Sequence, residues 1–352
     1  MKTIITASLP SDLETHLSAS DYDRLFVLTD ANSSAYCLPL ISQVPQIVAS
    51  TRFTIASGDA NKSLEQLADV WKFLSDNQAT RRSILLNLGG GMITDLGGFA
   101  GATFKRGIRT INVPTTVMAA VDAAVGGKTG INFNGLKNEI GSFYPPEAVF
   151  IDSRFFATLD SDNFLSGYAE MIKHSLLDAP ATLASILSFD PIASIDIDSL
   201  NAMIASSVAI KERIVTIDPL EKGIRKALNL GHTVGHALES LSFADRRPML
   251  HGRAVALGLV CELYISHKLC RFPVDVFHSV AGYIKERYSP YPLTCASYDA
   301  LYELMTHDKK NPDSHSINFT LLAGIGEILT DQLASRPIID ETMDFYSDFF
   351  GI

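Results

Sequence analysis

Residues Ser83–Ala100 read SILLNLGGGMITDLGGFA, an apolar run followed by three glycines and then by small and apolar residues at helical spacing. The pattern predicts a buried strand, a glycine turn and a helix. Glycine lets a backbone approach a ligand closely, and the helix N-terminus behind it presents N–H groups and the positive end of a dipole to phosphate. Such a turn also occurs as an ordinary tight turn of an α/β sheet, so the motif alone leaves both interpretations open.

A second glycine-rich segment follows. It consists of three runs, Val113–Thr116 (VPTT), Val121–Gly130 (VDAAVGGKTG) and Leu136–Phe143 (LKNEIGSF). The charged and amide side chains that stand among its apolar residues are Asp122, Lys128, Lys137 and Asn138. Cations are normally retained in such surroundings only where they meet an anion, so the segment favours an anion site over a solvated loop.

Strand patterns alternate with helix patterns on both sides of these motifs. Strands are predicted at Arg24–Asp30, Phe53–Ala56 and Ala148–Asp152, and a helix at Ser63–Asn77. This alternation predicts a parallel sheet with a Rossmann-like cofactor crevice. Asp30, at the end of its strand, is placed either to meet a ribose hydroxyl or to cap the next helix, and the sequence does not separate the two roles.

Composition limits the classes of protein that fit. With 352 residues, 47% hydrophobic and 19% charged, the chain can bury a large core and is expected to form two domains. A net charge of −10 argues against non-specific nucleic-acid binding. The N-terminal apolar run is too short for a signal peptide and no window reaches the ~18 apolar residues of a membrane span, so we expect no membrane partner and a cytoplasmic location. Four cysteines without Cys-x-x-Cys spacing indicate reduced thiols.

The second half of the chain contains residues of the types that bind metals. Glu170 and Lys173 lie three residues apart in a helical pattern, where a surface ion pair is the alternative interpretation. His232 and His236 are one helical turn apart, and His251 precedes an apolar helix predicted at 254–266. One carboxylate with imidazoles from separate elements is the composition of a catalytic zinc-type site. No glutamate follows His232, so the metalloprotease motif is not indicated.

Together these motifs resemble those of the 3-dehydroquinate synthases and their sugar-phosphate cyclase relatives. The resemblance runs from about Asp30 to Gly326. It implies an α/β, Rossmann-like NAD-binding domain at residues 1–155, followed by a mainly α-helical metal- and substrate-binding domain at 156–352. It also implies NAD and one divalent metal, zinc or cobalt, as cofactors, and a homodimer.

The resemblance also implies which residues meet NAD. Asp59 stands where the family usually has a longer glutamate, which preserves the charge on a shorter arm. Residues 155–158 are expected on the nicotinamide side. The full set of expected cofactor residues is Asp30, Asn32, Asp59, Lys62, Gly90, Gly91, Met92, Ile93, Thr94, Asp95, Thr115, Thr116, Asp122, Lys128, Lys137, Phe155, Thr158 and Leu159.

For the metal, the resemblance makes Glu170, His232 and His251 the ligands and leaves His236 as a substrate contact or proton-transfer residue. Arg253 departs from the family, which usually has glutamate after the His-Gly pair. This exchange reverses a charge beside a ligand, where neighbouring groups orient the imidazole. It bears on metal affinity more than on the class of reaction.

The substrate is expected to meet a larger set of polar groups. Arg225 offers a planar fork to a carboxylate, and Asn229, four residues on, would share its face on a helical stretch. Arg106 is expected to reach across a dimer interface, and one of Lys309 and Lys310 to meet phosphate, with the choice left open. Residues from Asp331 to Ile352 predict a closing helix without chemistry. The full set of expected catalytic residues is Lys128, Lys137, Asn138, Lys173, Lys211, Glu221, Arg225, Asn229, His236, Arg106, Lys309 and Lys310.

The implied activity is conversion of 3-deoxy-D-arabino-heptulosonate 7-phosphate to 3-dehydroquinate and phosphate in aromatic amino-acid biosynthesis. It proceeds by transient oxidation, phosphate elimination, re-reduction and aldol closure. The alternatives are a cyclase that makes a cyclitol, a metal-dependent NAD alcohol or glycerol dehydrogenase, and an inactive homologue. The fork of Arg225 favours a carboxylated substrate over the first, and the many retained polar groups argue against the last.

Overall fold

The computed structural model describes residues 1–134, 136–192, 196–306 and 316–352. The chain divides into two compact units, Met1–Asp160 with Asp196–Val208 and Ser161–Ile195 with Ala209–Ile352. The boundary that the sequence predicts between residues 155 and 156 stays a prediction. Among the described residues, none of the helices combines the length and the apolar character needed to cross a bilayer.

The first unit is built on a parallel sheet. Within the described residues its strands are β1 (Lys2–Ile5), β2 (Leu25–Asp30), β3 (Thr51–Ile55), β4 (Ile84–Gly89), β5 (Arg109–Pro114), β6 (Lys128–Phe133), β7 (Leu136–Phe143) and β8 (Ala148–Ile151), and its helices include α1 (Leu9–Ala19), α2 (Ala31–Tyr36), α3 (Pro45–Val48), α4 (Leu64–Asp76) and α5 (Gly91–Thr103). Six of these strands form one sheet in the order β1-β8-β5-β4-β2-β3, all parallel, and β6 and β7 form an antiparallel hairpin. Strands β2 and β4 are buried along their whole length, which is why they read as mainly apolar runs.

The order of the strands locates a crevice. From β2 the chain moves to β3 on one side, then returns to β4 on the other side of β2 and continues to β5. The carboxyl ends of β2 and β4 therefore lie side by side where the direction of winding reverses, which is where open α/β sheets bind ligands. Asp30 ends β2 and Gly89 ends β4.

Close packing accounts for several of the glycines of α5. A Cβ on Gly97 would lie 2.0 Å from Asn87 Oδ1, and one on Gly101 would lie 2.3 Å from Thr110 Cγ2. Asn87 is itself buried and its amide donates to Asn112 Oδ1 at 2.9 Å. These glycines let α5 lie directly on β4 and β5, so part of the glycine content serves packing.

The second unit is mainly helical, as predicted. Its described elements are α6 (Ser161–Leu176), α7 (Pro180–Ser188), the end of α8 (Ile197–Ile217), α9 (His232–Ala244), α10 (His251–Cys270), α11 (Val274–Arg287), α12 (Tyr298–Thr306), β9 (Ser316–Gly324), β10 (Glu327–Ser335) and α13 (Arg336–Phe350). The prediction of a closing helix from Asp331 is wrong at its start, because residues up to Ser335 pair with β9 and the helix begins at Arg336. Asp331, at φ 57°, lies within an irregular part of that ladder.

Glycines also set the distance between α9 and α10. A Cβ on Gly258 would lie 2.1 Å from the carbonyl oxygen of Gly231, and one on Gly235 would lie 3.0 Å from that of Ala254. Also on α10, a Cβ on Gly252 would lie 1.8 Å from the carbonyl oxygen of Ser166 in α6. Helix α10 thus touches α9 and α6 backbone to backbone, next to the residues that the sequence nominates as metal ligands.

We expect Gly258→Ala to lower the free energy of unfolding by about 1–3 kcal/mol, because backbone atoms cannot move aside as a flexible side chain can. The matched control is Gly282→Ala in α11, where an added Cβ meets nothing within 4 Å. That change should raise stability by up to about 1 kcal/mol through helix propensity. Urea denaturation followed by circular dichroism measures both, and a Gly258→Ala protein as stable as wild type would contradict the packing argument.

Candidate metal centre and active site

Three helices of the second unit bring the predicted metal ligands together. Glu170 lies on α6 and is completely buried, and His232 and His251 are the first residues of α9 and α10. Glu170 Oε1 lies 3.5 Å from His232 Nε2 and 3.6 Å from His251 Nε2. Two ligands of a tetrahedral ion about 2.1 Å away lie about 3.4 Å apart, so each of these two separations suits a zinc-sized ion shared between Glu170 and an imidazole.

The second nitrogen of each imidazole is held by an acceptor. His232 Nδ1 lies 3.1 Å from the carbonyl oxygen of Leu230, and His251 Nδ1 lies 3.2 Å from Glu239 Oε2. Both Nδ1 atoms must therefore donate, and in the neutral ring of His232 this leaves the Nε2 lone pair facing the Glu170 carboxylate. Acceptors that face one another across 3.5 Å favour a cation between them, and the arrangement matches the way that outer groups orient metal-bound histidines.

The ionisable groups at this centre shift one another's pKa values. Burial opposes ionisation of Glu170, but the Lys173 ammonium and the His251 imidazole outweigh it and hold the pKa of the carboxyl well below its ordinary value. Burial and the Lys173 ammonium hold the pKa of His232 well below its ordinary value, so that ring is neutral. Burial also opposes the charge of His251, but Glu239 and Glu170 raise the pKa of its imidazole to about 10. A metal ion would take the place of the His251 proton.

His236 occupies the outer side of the cluster. Its ring centre lies 5.2 Å from that of His232 and 5.6 Å from that of His251, and it is exposed while its neighbours are largely covered. The three histidines can also bring one nitrogen each within 4.8 Å of one another. A ligand set of three histidines is thus a geometric alternative to the set with Glu170. The latter is favoured because Glu170 Oε1 lies only 3.5 and 3.6 Å from the Nε2 atoms of His232 and His251, separations suited to one small ion.

Lys173 forms the inner wall of the centre. It is buried, lies one turn after Glu170 on α6, and its ammonium is paired with the Glu170 carboxylate. The alternative of a surface ion pair is therefore wrong for these two residues. The pair instead stands beside the two histidines.

Several expected cofactor residues of the first unit form a second polar cluster. Lys62 is buried, and its Nζ lies 3.1 Å from Asp95 Oδ2, 2.6 Å from Asn138 Oδ1 and 3.5 Å from Asp59 Oδ1. Lys137 Nζ lies 3.3 Å from Asp59 Oδ2. Burial opposes the charge of Lys62, but Asp95 and Asp59 outweigh it and raise the pKa of the ammonium. The shorter side chain of Asp59 thus still reaches both lysines.

Most of the remaining expected cofactor residues of this unit lie at or after the carboxyl ends of strands. Asp30 caps α2, because its Oδ1 accepts from the N–H groups of Asn32 and Ser33, so the N-cap role is confirmed and contact with a ribose stays a prediction. Gly90 lies beside Thr116, with the Thr115 N–H donating to Gly89 O at 3.0 Å. Asp122 lies in a π-helical turn, Ala119–Ala123, a form frequent at functional sites. The first turn of α5 consists of Gly91, Met92, Ile93 and Thr94, and the exposed Lys128 begins β6. Phe155 is buried in the 3₁₀ helix Ser153–Thr158, which ends at the exposed Thr158 and is capped by Leu159.

Arg225 lies in a 3₁₀ helix, Ile224–Asn229, so the predicted alignment with Asn229 is wrong. With three residues per turn, side chains four apart point about 120° away from one another. The Arg225 guanidinium is buried and donates to the carbonyl oxygen of Pro219 at 2.6 Å. Asn229 instead donates to Glu221 Oε1 at 3.0 Å.

The other expected substrate residues lie on separate elements. Lys211 is buried on α8. Arg106 is exposed at φ 66° in the turn after α5. Lys309 and Lys310 lie outside the described residues.

Comparison with known proteins establishes the family. Residues 52–166 match the model of the 3-dehydroquinate synthase N-terminal domain, and residues 167–311 match that of the C-terminal domain. A 3-dehydroquinate synthase of Parabacteroides distasonis is 57% identical over 351 residues, which cover 100% of this chain and 99% of that protein. The chain belongs to the 3-dehydroquinate synthase family.

Solved structures of two other synthases share the fold of this 3-dehydroquinate synthase family member. A 2-deoxy-scyllo-inosose synthase with carbaglucose-6-phosphate, NAD+ and Co2+ has a TM-score of 0.83 at 21% identity, covering 97% of this chain and 95% of its own. A 2-epi-5-epi-valiolone synthase from Streptomyces hygroscopicus with NAD+ and Zn2+ has a TM-score of 0.83 at 20% identity, covering 99% and 96%. At these identities the likeness concerns the fold, and it confirms the predicted α/β unit followed by a mainly helical one.

Two buried glutamates near the metal centre escaped sequence reasoning. Glu239 accepts from His251 Nδ1, and Glu262 accepts from the N–H groups of Gly231 and Val234 at 2.6 and 3.0 Å. Glu262 stands inside an apolar helix, a setting where a charge is rarely kept without a partner. That burial pattern was the available signal. Arg253, the departure from the family, donates to the carbonyl oxygens of Ser289 and Pro290 at 2.8 and 2.9 Å.

Proposed function

We propose that this chain converts 3-deoxy-D-arabino-heptulosonate 7-phosphate to 3-dehydroquinate and phosphate, with NAD and one divalent metal. Identity of 57% to a 3-dehydroquinate synthase over the full chain supports the reaction. The observation that carries the proposal is the approach of Glu170 Oε1 to His232 Nε2 and His251 Nε2 at 3.5 and 3.6 Å. When bound, the metal supplies a Lewis acid that lowers the pKa of a substrate hydroxyl, and NAD supplies a reversible hydride acceptor.

The residues of the second unit have distinct proposed roles. Glu170, His232 and His251 hold the metal. Lys173 keeps the Glu170 carboxylate ionised and presents an ammonium to the anionic substrate. His236 is exposed beside the ligands, where it can exchange a proton with a bound substrate. Arg225, Asn229, Glu221 and Lys211 are proposed to meet the carboxylate and hydroxyl groups of the substrate.

The first unit is proposed to bind NAD at the carboxyl ends of β2 and β4. The first turn of α5 offers N–H groups to the pyrophosphate. The cluster around Lys62, with Asp59, Asp95 and Lys137, supplies polar groups to the dinucleotide. We further propose domain limits at 1–155 and 156–352, a cytoplasmic location and a homodimer in which Arg106 meets the partner's substrate phosphate.

We expect phosphate to be released from the heptulosonate phosphate without any net accumulation of NADH. The hydride removed in the first step returns before the ring closes, so oxidation and reduction balance within each turnover. Phosphate release and absorbance at the NADH band, recorded on one sample with enzyme-bound NAD, test this. A steady rise of NADH in proportion to product would favour the dehydrogenase alternative. Release of phosphate from a heptose phosphate without the carboxylate, but not from the natural substrate, would favour a cyclitol-forming cyclase.

A further inference from the structure

Helix α9 carries two residues of the metal centre but has no side-chain cap of its own. It begins at His232, and its N-cap is Gly231, at φ 79°. The first N–H groups of a helix have no acceptor within the helix, so an uncapped first turn frays easily. His232 and His236 lie in the first two turns of this helix. The conformation of the helix start therefore determines where their imidazoles lie in the site.

A buried glutamate of α10 supplies the missing cap. Glu262 is completely buried, its Oε2 accepts from the Gly231 N–H at 2.6 Å, and its Oε1 accepts from the Val234 N–H at 3.0 Å. These two N–H groups bracket His232 in the sequence. Gly258, one turn earlier on the same face of α10, permits the approach, because any Cβ there would collide with the Gly231 carbonyl at 2.1 Å.

The N-terminus of α9 offsets the desolvation free energy of the buried Glu262 carboxylate. Backbone N–H groups donate to a full negative charge with about twice the strength of a neutral pair. The positive end of the α9 dipole adds to this attraction in a medium of low dielectric constant. A glutamine could keep the shape, but it would lose the charge and turn an N–H group toward another N–H.

We propose that Glu262 is a positioning residue, which fixes the first turn of α9 so that His232 Nε2 faces Glu170. The inference rests on the proposed function, because it assumes that His232 binds a metal. Glu262 lies behind the helix and acts through the backbone on either side of His232. Its removal should therefore change how the metal is held and not only how stable the fold is.

The first test compares Glu262→Gln with wild type after the metal has been stripped. Affinity for Zn2+ is measured by competition with a chromophoric chelator, and the cobalt-substituted proteins are compared by their ligand-field spectra. We expect an affinity at least about 10-fold lower, the scale of losses seen when supporting groups around metal ligands are removed, and an altered cobalt spectrum. Wild-type affinity and an unchanged spectrum in Glu262→Gln would overturn the proposal.

The matched control is Ser266→Ala, one turn further along α10. Ser266 is buried, and its hydroxyl donates to Glu262 O at 2.7 Å and accepts from the Leu322 N–H at 3.1 Å, away from the first turn of α9. This variant should lose stability but keep the affinity and the cobalt spectrum of wild type. An equal loss of affinity in Ser266→Ala would make the effect one of general destabilisation and overturn the proposal.

A second variant keeps the test decisive if Glu262→Gln does not fold. Glu262→Asp retains the charge, but its side chain is one methylene shorter. The carboxylate therefore cannot keep both hydrogen bonds from the Gly231 and Val234 N–H groups. We expect a zinc affinity lower than that of wild type, and an affinity equal to wild type would overturn the proposal. A wild-type protein that binds neither zinc nor cobalt would contradict the proposed function itself.

Discussion

Alanine in place of His232 is expected to remove the metal and to stop turnover at the same time. The imidazole is one of three groups that converge at the proposed metal position, and its Nδ1 is already held by Leu230. A Lewis acid contributes several kcal/mol to stabilising a developing charge, so turnover should fall by about 10³-fold or more. Elemental analysis of the purified protein and the rate of phosphate release measure the two losses.

His267→Ala is the matched control for this experiment. His267 lies on α10 and its Nδ1 is held by a backbone carbonyl, Phe272 O, at 2.9 Å, much as His232 is held by Leu230. It belongs to neither of the two possible ligand sets, so metal content and turnover should stay close to wild type. Chelation of the wild-type protein should abolish turnover, and zinc or cobalt should restore it. A fully active protein without metal would refute the assignment.

His236→Ala separates the two possible ligand sets. If Glu170, His232 and His251 hold the metal, this variant should keep its metal and lose much of its turnover. Loss of metal from His236→Ala together with its retention in Glu170→Gln would instead establish the set of three histidines.

Sequence reasoning predicted well those elements whose burial can be read from neighbouring residues along the chain. Strand β4 is buried on both faces and so reads as an apolar run, and α4 fills the predicted range between Ser63 and Asn77. The β6–β7 hairpin was not predicted, because its pairing depends on glycines that carry no strand propensity. A Cβ on Gly141 would lie 2.1 Å from Thr129 O, so the ladder requires a glycine at this position, which a side-chain pattern does not reveal.

The resemblance nominates Glu170, His232 and His251 as metal ligands, and the structure brings their side chains together, but the groups that surround them were not predicted. Glu239 and His251 are 12 residues apart, and Glu262 and Gly231 are 31 apart. Such pairs form only when helices cross at particular glycines, and helical periodicity does not reveal a crossing point. Spacing alone also cannot distinguish an α-helix from a 3₁₀ helix, which is why the predicted relation between Arg225 and Asn229 was wrong.

The structure gives Arg225 a definite setting. Its side chain is only 1% exposed, the guanidinium donates to Pro219 O, and its backbone N–H donates to Asp218 Oδ2 at 3.1 Å. The guanidinium is therefore fixed in direction by the turn that precedes the 3₁₀ helix. A fixed planar fork can hold a carboxylate through two parallel hydrogen bonds, whereas an ammonium acts as a point charge.

We expect Arg225→Lys to lower kcat/KM for the carboxylated natural substrate by about 10- to 100-fold. This is the scale of one hydrogen bond to a charged group, at about 1.5–3 kcal/mol. An analogue of the substrate without the carboxylate should be affected much less, because the fork has nothing to hold. The quantity to measure is the ratio of kcat/KM for the two substrates, in wild type and in the variant.

Lys226→Arg, the reverse substitution at the next residue, is the matched control for Arg225→Lys. Lys226 lies in the same 3₁₀ helix, but its Nζ pairs with both oxygens of Asp331 at 2.8 Å. Arginine at this position keeps the charge and can still pair with Asp331. The ratio of kcat/KM for the two substrates should therefore equal that of wild type. If Arg225→Lys also left the ratio unchanged, Arg225 would not hold the carboxylate. Its burial would then have to be explained by the contacts with Asp218 and Pro219, and the distinction between a quinate-forming and a cyclitol-forming enzyme would have to come from other residues.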